Sequence, residues 1–280
     1  EDLNVPPFGY VIDYMTYGGI YQDVYLEVKE QFALQDVFVH TQITPQAEAA
    51  CVISEITLHE VAKDIQVRQY YALRGDAAIS DVALDETSDV TWQLLCEQPL
   101  PSDTVGGTEM RIQGTIPHPA LWNTEHPHLY LLKTQLWQGE TLLDESEVTF
   151  GIREAVFQKD GFYLNGKKLR IRGLNRHQSY PYVGYAMPES MQKLDADLLK
   201  KELGLNAVRT SHYPQSHYFL DRCDELGLLV FTEFPGWQHI GDDTWKTQAV
   251  ANAEDMIRQY RNHPSIILWG VRINESPDDD

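Results

Sequence analysis

With 280 residues, 42% hydrophobic and 11% aromatic, the chain is too long and too apolar for a disulfide miniprotein or a disordered tail, and at ~100–200 residues per domain it has room for two domains. It carries 42 acidic against 22 basic side chains, a formal charge of -20, which argues against a nucleic-acid backbone or an anionic membrane surface as partner. No apolar run approaches the ~20 residues of a membrane-spanning helix. Cys51, Cys96 and Cys223 are odd in number and share no metal-ligand spacing, so neither a structural zinc site nor a disulfide framework is indicated.

Residues 8–150 read as all-β. Val24, Leu26 and Val28 alternate with Tyr25 and Glu27. Residues 37–39 and 51–53 are short β-branched or aromatic runs, and residues 103–107 form a Gly-rich turn. Prolines break the pattern at 116–119 and 126–128. Residues 129–136 and 141–150 form a closing hairpin around Gly139. Short strands at this spacing predict a sandwich.

After Gly151 the punctuation changes to β-α-β-α-β-α-β. Strands are predicted at 169–174, 206–210, 228–233 and 266–273. Helices are predicted at 189–203, 216–226 and 247–261. In the first helix Met191, Leu194, Leu198 and Leu203 share a face, with Gly204 beyond its end. Ser216 is the expected N-cap of the second helix and Gly227 lies beyond it. Apolar strands joined by helices imply a parallel sheet, either doubly wound or a barrel. No G-x-G-x-x-G loop follows the first strand, so a dinucleotide site has no support.

Polar and aromatic residues gather where these strands end, the place where barrels carry their chemistry. Asn175, Arg176 and His177 follow the first strand. Arg209, Thr210, Ser211, His212 and Tyr213 follow the second, Glu233 and Trp237 the third, and Asn274 and Glu275 the fourth. Glu275, after a long apolar strand, would be poorly solvated and its pKa raised, as a general acid requires. It also suits the start of a solvated loop, since Asp278, Asp279 and Asp280 follow. For Arg209, an ion pair with a carboxylate at the barrel end is the commoner outcome. His212 could bind substrate, orient a carboxylate or cap a helix. Trp237 and Trp245 could stack on a sugar ring or pack in the core. His239 has no second ligand at helical spacing, so no metal site is read there. Cys223, one turn after Phe219, reads as core.

These residues carry a family resemblance. Asn206-Ala207-Val208-Arg209-Thr210-Ser211-His212-Tyr213-Pro214, with Asp221, Asp224 and Gly227-Leu228-Leu229-Val230-Phe231, resembles the first signature of glycoside hydrolase family 2. Arg261-Asn262-His263-Pro264-Ser265-Ile266-Ile267-Leu268-Trp269-Gly270, closing on Asn274-Glu275, resembles its acid/base signature. Phe150-Gly151-Ile152-Arg153 and Ile171-Arg172-Gly173-Leu174-Asn175-Arg176-His177 are further hallmarks. Asp13 and Gly18-Gly19-Ile20-Tyr21 resemble the strand joining the family's sugar-binding and immunoglobulin-like domains.

The resemblance implies a multidomain β plus α/β architecture. Residues 1–28 would be the C-terminal strands of a jelly-roll sugar-binding domain. Residues 29–152 would be an immunoglobulin-like β-sandwich, and residues 153–280 the first half of a (β/α)8 TIM barrel. It implies a retaining exo-β-glycosidase, with β-galactosidase first and β-glucuronidase or another family 2 β-glycosidase as alternatives. Glu275 would be the general acid/base and Asn274 would bond the sugar 2-hydroxyl. Asp13, His177, Arg209 and His212 match positions that bind substrate or support the carboxylates, and Trp237 is carried as a stacking candidate. A lone asparagine precedes Glu275, unlike the family's mannosidases, and Gln178 follows His177 where an acidic residue is usual. Residues 233–241 lack the Glu-x-His pair that helps hold magnesium in some galactosidases, so no cofactor is expected.

The family's nucleophile would come from the seventh barrel strand, beyond the four strands here. The chain, which does not begin with Met, is therefore expected to be a piece of a longer protein and inactive alone. A non-catalytic carbohydrate-binding or scaffolding protein is the rival from another class. The expected partner is a carbohydrate, with no nucleic acid and no membrane. A homo-oligomer fits the family, though nothing here specifies an interface. Few cysteines and no leader pattern favour the cytoplasm, with the compartment left open.

Overall fold

The computed structural model describes residues 5–7, 12–60, 64–75, 90–100 and 109–272. Contacts divide the chain into two compact units, Tyr25–Leu169 and Glu1–Val24 with Arg170–Asp280. Among the described residues no helix is long and apolar enough to cross a membrane.

The first unit is a sandwich of two antiparallel sheets. One sheet has the order β1-β2-β5, from β1 (Leu34–Ile43), β2 (Ala49–Leu58) and β5 (Glu109–Pro117). The other has the order β4-β3-β6-β7, from β3 (Ile65–Leu73), β4 (Gln93–Pro99), β6 (Tyr130–Gln138) and β7 (Thr141–Phe150). Alternation explains the core: Val37, Val39, Val52, Ile56 and Ile112 of the first sheet meet Val67, Leu132 and Leu136 of the second. The predicted hairpin is β6–β7, with Gln138 paired to Thr141 across a tight turn in which Gly139 takes φ +59°.

One polar group is built into that core. Gln69 accepts from Ser54 Oγ at 3.1 Å and donates through Nε2 to Thr134 Oγ1 at 2.9 Å, all three side chains fully buried. Ser54 lies on one sheet and Gln69 and Thr134 on the other, so the bonds tie the layers together. A small antiparallel sheet, β8 (Ala155–Gln158), β9 (Gly161–Leu164) and β10 (Lys167–Leu169), completes this unit.

The second unit holds a four-stranded parallel sheet, β11 (Gly173–Arg176), β12 (Ala207–Thr210), β13 (Leu229–Glu233) and β14 (Ile266–Gly270), in sequential order. Its crossovers carry α1 (Glu189–Asp197, continued by a π-type turn at Leu198–Glu202), α2 (His217–Leu226) and α3 (Asp243–Tyr260). Phe219, Leu220 and Cys223 of α2 and Met256 and Tyr260 of α3 pack on Val208 and Val230 of the sheet. Cys223 is core, as read from sequence, and burial raises its thiol pKa well above the ordinary value. Gly227 ends α2 in the left-handed conformation, φ +66°. The architecture is thus an immunoglobulin-like sandwich followed by the opening β/α units of a TIM barrel.

Several local expectations fail for identifiable reasons. Residues 12–30 carry no strand, and Val24, Tyr25, Leu26 and Val28 are largely exposed; no described residue offers this segment a ladder. Residues 8–11, the start of that reading, and the turn at 103–107 lie outside the described residues. The strand expected at 169–174 is two strands. Between them the Asn206 side chain takes the ladder's place, accepting from Arg172 N at 2.7 Å and donating to Arg170 O at 2.9 Å. Leu194, Leu198 and Leu203, expected to face the core, are 53%, 43% and 57% exposed, and α1 buries Gln192 and Ala196 instead. The reason lies beneath α1: the buried Arg176 guanidinium needs acceptors, and it finds Gln192 Oε1 at 2.8 Å and Asp195 Oδ2 at 2.9 Å. Ser216 does not cap α2 with its own hydroxyl. Gln178 Oε1 accepts from Ser216 N at 2.6 Å and serves that helix end. The third helix starts four residues early because Asp242 caps it, accepting from Trp245 N at 3.0 Å.

Candidate active site

The four parallel strands put their C-terminal ends side by side, because Arg176, Thr210 and Thr232 are in register across β11, β12 and β13. At that end the central group is Glu233, the last residue of β13, with a side chain 1% exposed. Arg209 Nε donates to its Oε1 at 2.6 Å, and His212 Nδ1 meets its Oε2 at 2.8 Å. Gly270, opposite Glu233 on β14, makes the space: a Cβ there would stand 2.9 Å from Glu233 Cγ. With Nδ1 turned to the carboxylate, Nε2 is the ring nitrogen His212 can offer to a ligand.

Around this pair lies a nest of rings. His177 is 5.5 Å from His212 between centroids, and Trp237 is 5.1 Å from His212. Tyr14 fits among them, 6.0 Å from each histidine, 5.4 Å from Tyr213 and 6.1 Å, edge-on, from Trp237. Burial, then the neighbouring His212, lowers the His177 pKa, while the charges of Asp13 and Glu233 oppose the shift without reversing it. His177 is therefore a neutral imidazole at neutral pH, able to donate from one nitrogen and accept at the other.

The segment carrying Asp13 and Tyr14 is tied to the barrel loops by aromatic contacts. Tyr17 packs edge-on against Tyr185 at 4.7 Å, the Tyr185 hydroxyl donates to Met15 O, and the Tyr218 hydroxyl donates to Asp23 Oδ2 at 2.5 Å. Asp13 is exposed and within electrostatic reach of His177.

Asp13, His177, Arg209, His212 and Trp237 thus converge on one end of the sheet. Arg209 is there as the ion-pair partner of Glu233. Asn274 and Glu275 lie outside the described residues. Arg176, counted among the polar residues of this end, is not part of the site. Its side chain is buried among α1 and Phe219, whose ring lies 4.0 Å from the guanidinium. Trp245 is buried on α3 beside His239 and is core. Sequence reasoning missed two participants. Glu233 as the partner of Arg209 and His212 was signalled by its place at the end of an apolar strand. For Tyr14, nearly 200 residues before His212, the one signal was its neighbour Asp13, which the family resemblance brings to the site.

Asp221, Asp224 and His263 also place one ligand atom each within 4.8 Å of one another. Asp224 Oδ2 accepts from His263 Nδ1 at 2.6 Å and its Oδ1 accepts from Ser265 N at 3.0 Å. The group clamps α2 to the turn that opens β14.

The chain is 44% identical over 286 residues to a β-galactosidase of Thermoanaerobacterium thermosulfurigenes, covering 100% of this chain and 37% of that protein. It is 42% identical over 284 residues to a β-galactosidase of Thermoanaerobacter pseudethanolicus, covering 100% of this chain and 35% of that protein. The chain thus spans little more than a third of the length of these relatives. A crystal structure of a Bacteroides uniformis β-glucuronidase is similar at a TM-score of 0.78 and 29% identity, covering 95% of this chain and 31% of that one. The sequence model for "Glycosyl hydrolases family 2" matches residues 32–153, and that for "Glycosyl hydrolases family 2, TIM barrel domain" matches residues 156–279. Sandwich and barrel strands answer to one family, and the chain belongs to glycosyl hydrolase family 2.

Proposed function

We propose that the whole protein is a retaining exo-β-glycosidase that releases terminal β-galactosyl groups. The observation that carries the reading is the convergence of neutral His177, Glu233-anchored His212 and half-buried Trp237 at the strand ends, with Asp13 in electrostatic reach. Imidazoles and a carboxylate supply hydrogen bonds to sugar hydroxyls, and an indole supplies a face for the apolar side of the ring. Galactose as the sugar is supported by the relatives named β-galactosidase at 42% and 44% identity along the whole chain.

In this reading Glu275 protonates the glycosidic oxygen as the bond breaks, while a second carboxylate about 5–5.5 Å away attacks the anomeric carbon. Glu275 then takes a proton from the water that hydrolyses the glycosyl-enzyme. Asn274 bonds the 2-hydroxyl, an interaction that strengthens in the transition state. The -20 charge is compatible with a neutral sugar.

A panel of nitrophenyl glycosides on the full-length protein tests the sugar. Galactoside turnover is expected, and dominant turnover of the glucuronide would move the assignment to the second reading, which the β-glucuronidase structures favour. Sugar binding with no hydrolysis of any glycoside would indicate the carbohydrate-binding alternative. Substituting Glu275→Gln is expected to lower kcat by about 10²–10⁴-fold, with partial rescue by azide. A wild-type rate in that variant would remove Glu275 from the mechanism.

A further inference from the structure

We propose that Tyr14 is a sugar-binding residue of this site, its phenol hydroxyl completed by a hydroxyl of the bound glycosyl unit. The inference rests on the glycosidase reading and adds a specificity-determining contact to it. Its basis is a mismatch between position and bonding. Tyr14 Oη is buried and has no hydrogen-bond partner among the described residues, although the ring stands between His177, His212, Tyr213 and Trp237. A buried hydroxyl without a partner is destabilising in the free protein. Other phenols nearby are not left in that state: Tyr213 Oη accepts from Gln178 N at 3.0 Å and Tyr260 Oη donates to Gln215 O at 3.0 Å. The unpaired phenol is therefore an exception among these phenols, and it lies where the candidate ligand-binding groups converge.

The chemistry fits a neutral polyol. Burial, then Tyr213 and Glu233, push the Tyr14 phenol well above its ordinary pKa, so it stays an un-ionised donor and acceptor across the working range. An acidic ligand group would face the nearby Glu233 charge, whereas a sugar hydroxyl matches the phenol in both roles. Trp237, on the irregular segment between β13 and α3, stands nearly perpendicular to the Tyr14 ring, 6.1 Å from it between centroids. In this proposal a sugar ring stacks on that indole and presents a hydroxyl to Oη.

The test is Tyr14→Phe in the full-length enzyme, with three readouts. Because no bond among the described residues is lost, the urea midpoint should be unchanged or raised. The kcat/KM for nitrophenyl β-galactoside should fall about tenfold or more, the scale of one hydrogen bond to substrate. Across the 2-, 3-, 4- and 6-deoxy galactosides, the wild type should discriminate against one of them by a factor that largely disappears in the variant. Equal kcat/KM with unchanged deoxy ratios would overturn the proposal. A fall in stability that accounts for the lost rate would assign Tyr14 a packing role and also overturn it. If the wild type cleaves no galactoside, the galactosidase reading fails separately. The same comparison is then run on deoxy analogues of the glycoside that is cleaved, or by calorimetric binding of the free sugars if none is. Lost discrimination in the variant again supports the contact, and unchanged discrimination again overturns it.

Discussion

In the sandwich, Gln69 lies between Ser54 and Thr134; at the strand ends of the parallel sheet, Glu233 lies between Arg209 and His212. Both are buried polar centres with a partner on each side. The first group is neutral and its bonds, a longer one from Cys96 Sγ to Gln69 Oε1 included, run between sandwich side chains, so it acts as a tie between layers. The second is charged and surrounded by unmet capacity. Tyr14 Oη and Ser211 Oγ are among the buried atoms without partners in the same unit, Ser265 Oγ before β14 being another, whereas the sandwich has His40 Nε2 alone in that state among the described residues. The contrast sets polar burial that serves the fold beside the polar burial that the Tyr14 proposal assigns to a ligand.

Mutations can break or sharpen that contrast. Glu233→Ala should have the largest effect, about 3–5 kcal/mol by urea denaturation, because Arg209 and His212 both lose the buried carboxylate they share. A loss below about 1 kcal/mol would mean that water already solvates the pair. Gln69→Ala should cost about 1–3 kcal/mol, since Ser54 and Thr134 each lose a partner in a dry core. A matching loss with a triple apolar replacement at Ser54, Gln69 and Thr134 would show that the cost is packing and not hydrogen bonding.

The smallest effect is a pH dependence in the Asp224 clamp. Burial pushes His263 down, yet Asp224, helped by Asp221, outweighs it and the net shift is upward; His217 and Tyr260 also face the ring. The ion pair's contribution is thus fully present below the ordinary pKa near 6.5 and fades as pH rises through the higher folded value. Asp224→Asn should therefore cost more at about pH 6 than at about pH 9, read as the difference between two urea midpoints. An equal cost at both would show that His263 stays neutral.

The sequence made the parallel sheet and its helices legible because apolar strands, helical periodicity and Gly caps agree there. The hairpin at Gly139 was legible for the same reason. Readings went astray where one polar side chain overrode the pattern. Arg176, drawn inward, turned α1 so that its leucines face outward, and Asn206 split a strand by substituting its amide for a ladder. Such effects depend on contacts between segments far apart in the chain, which hydrophobic spacing does not encode. The site divides in the same way: His177, His212 and Trp237 announce themselves at strand ends, while Tyr14 arrives from the opposite end of the sequence.

Gly173 sets the geometry of one wall of this site from a distance. A Cβ on it would lie 2.5 Å from the carbonyl oxygen of Ala207, so β11 and β12 can close to this spacing only while residue 173 has no side chain. His177 stands four residues further on, ~13 Å at strand rise. A single added methyl would act as a shim at the base of a lever, prying the strands apart where no ligand reaches and moving the imidazole where one does.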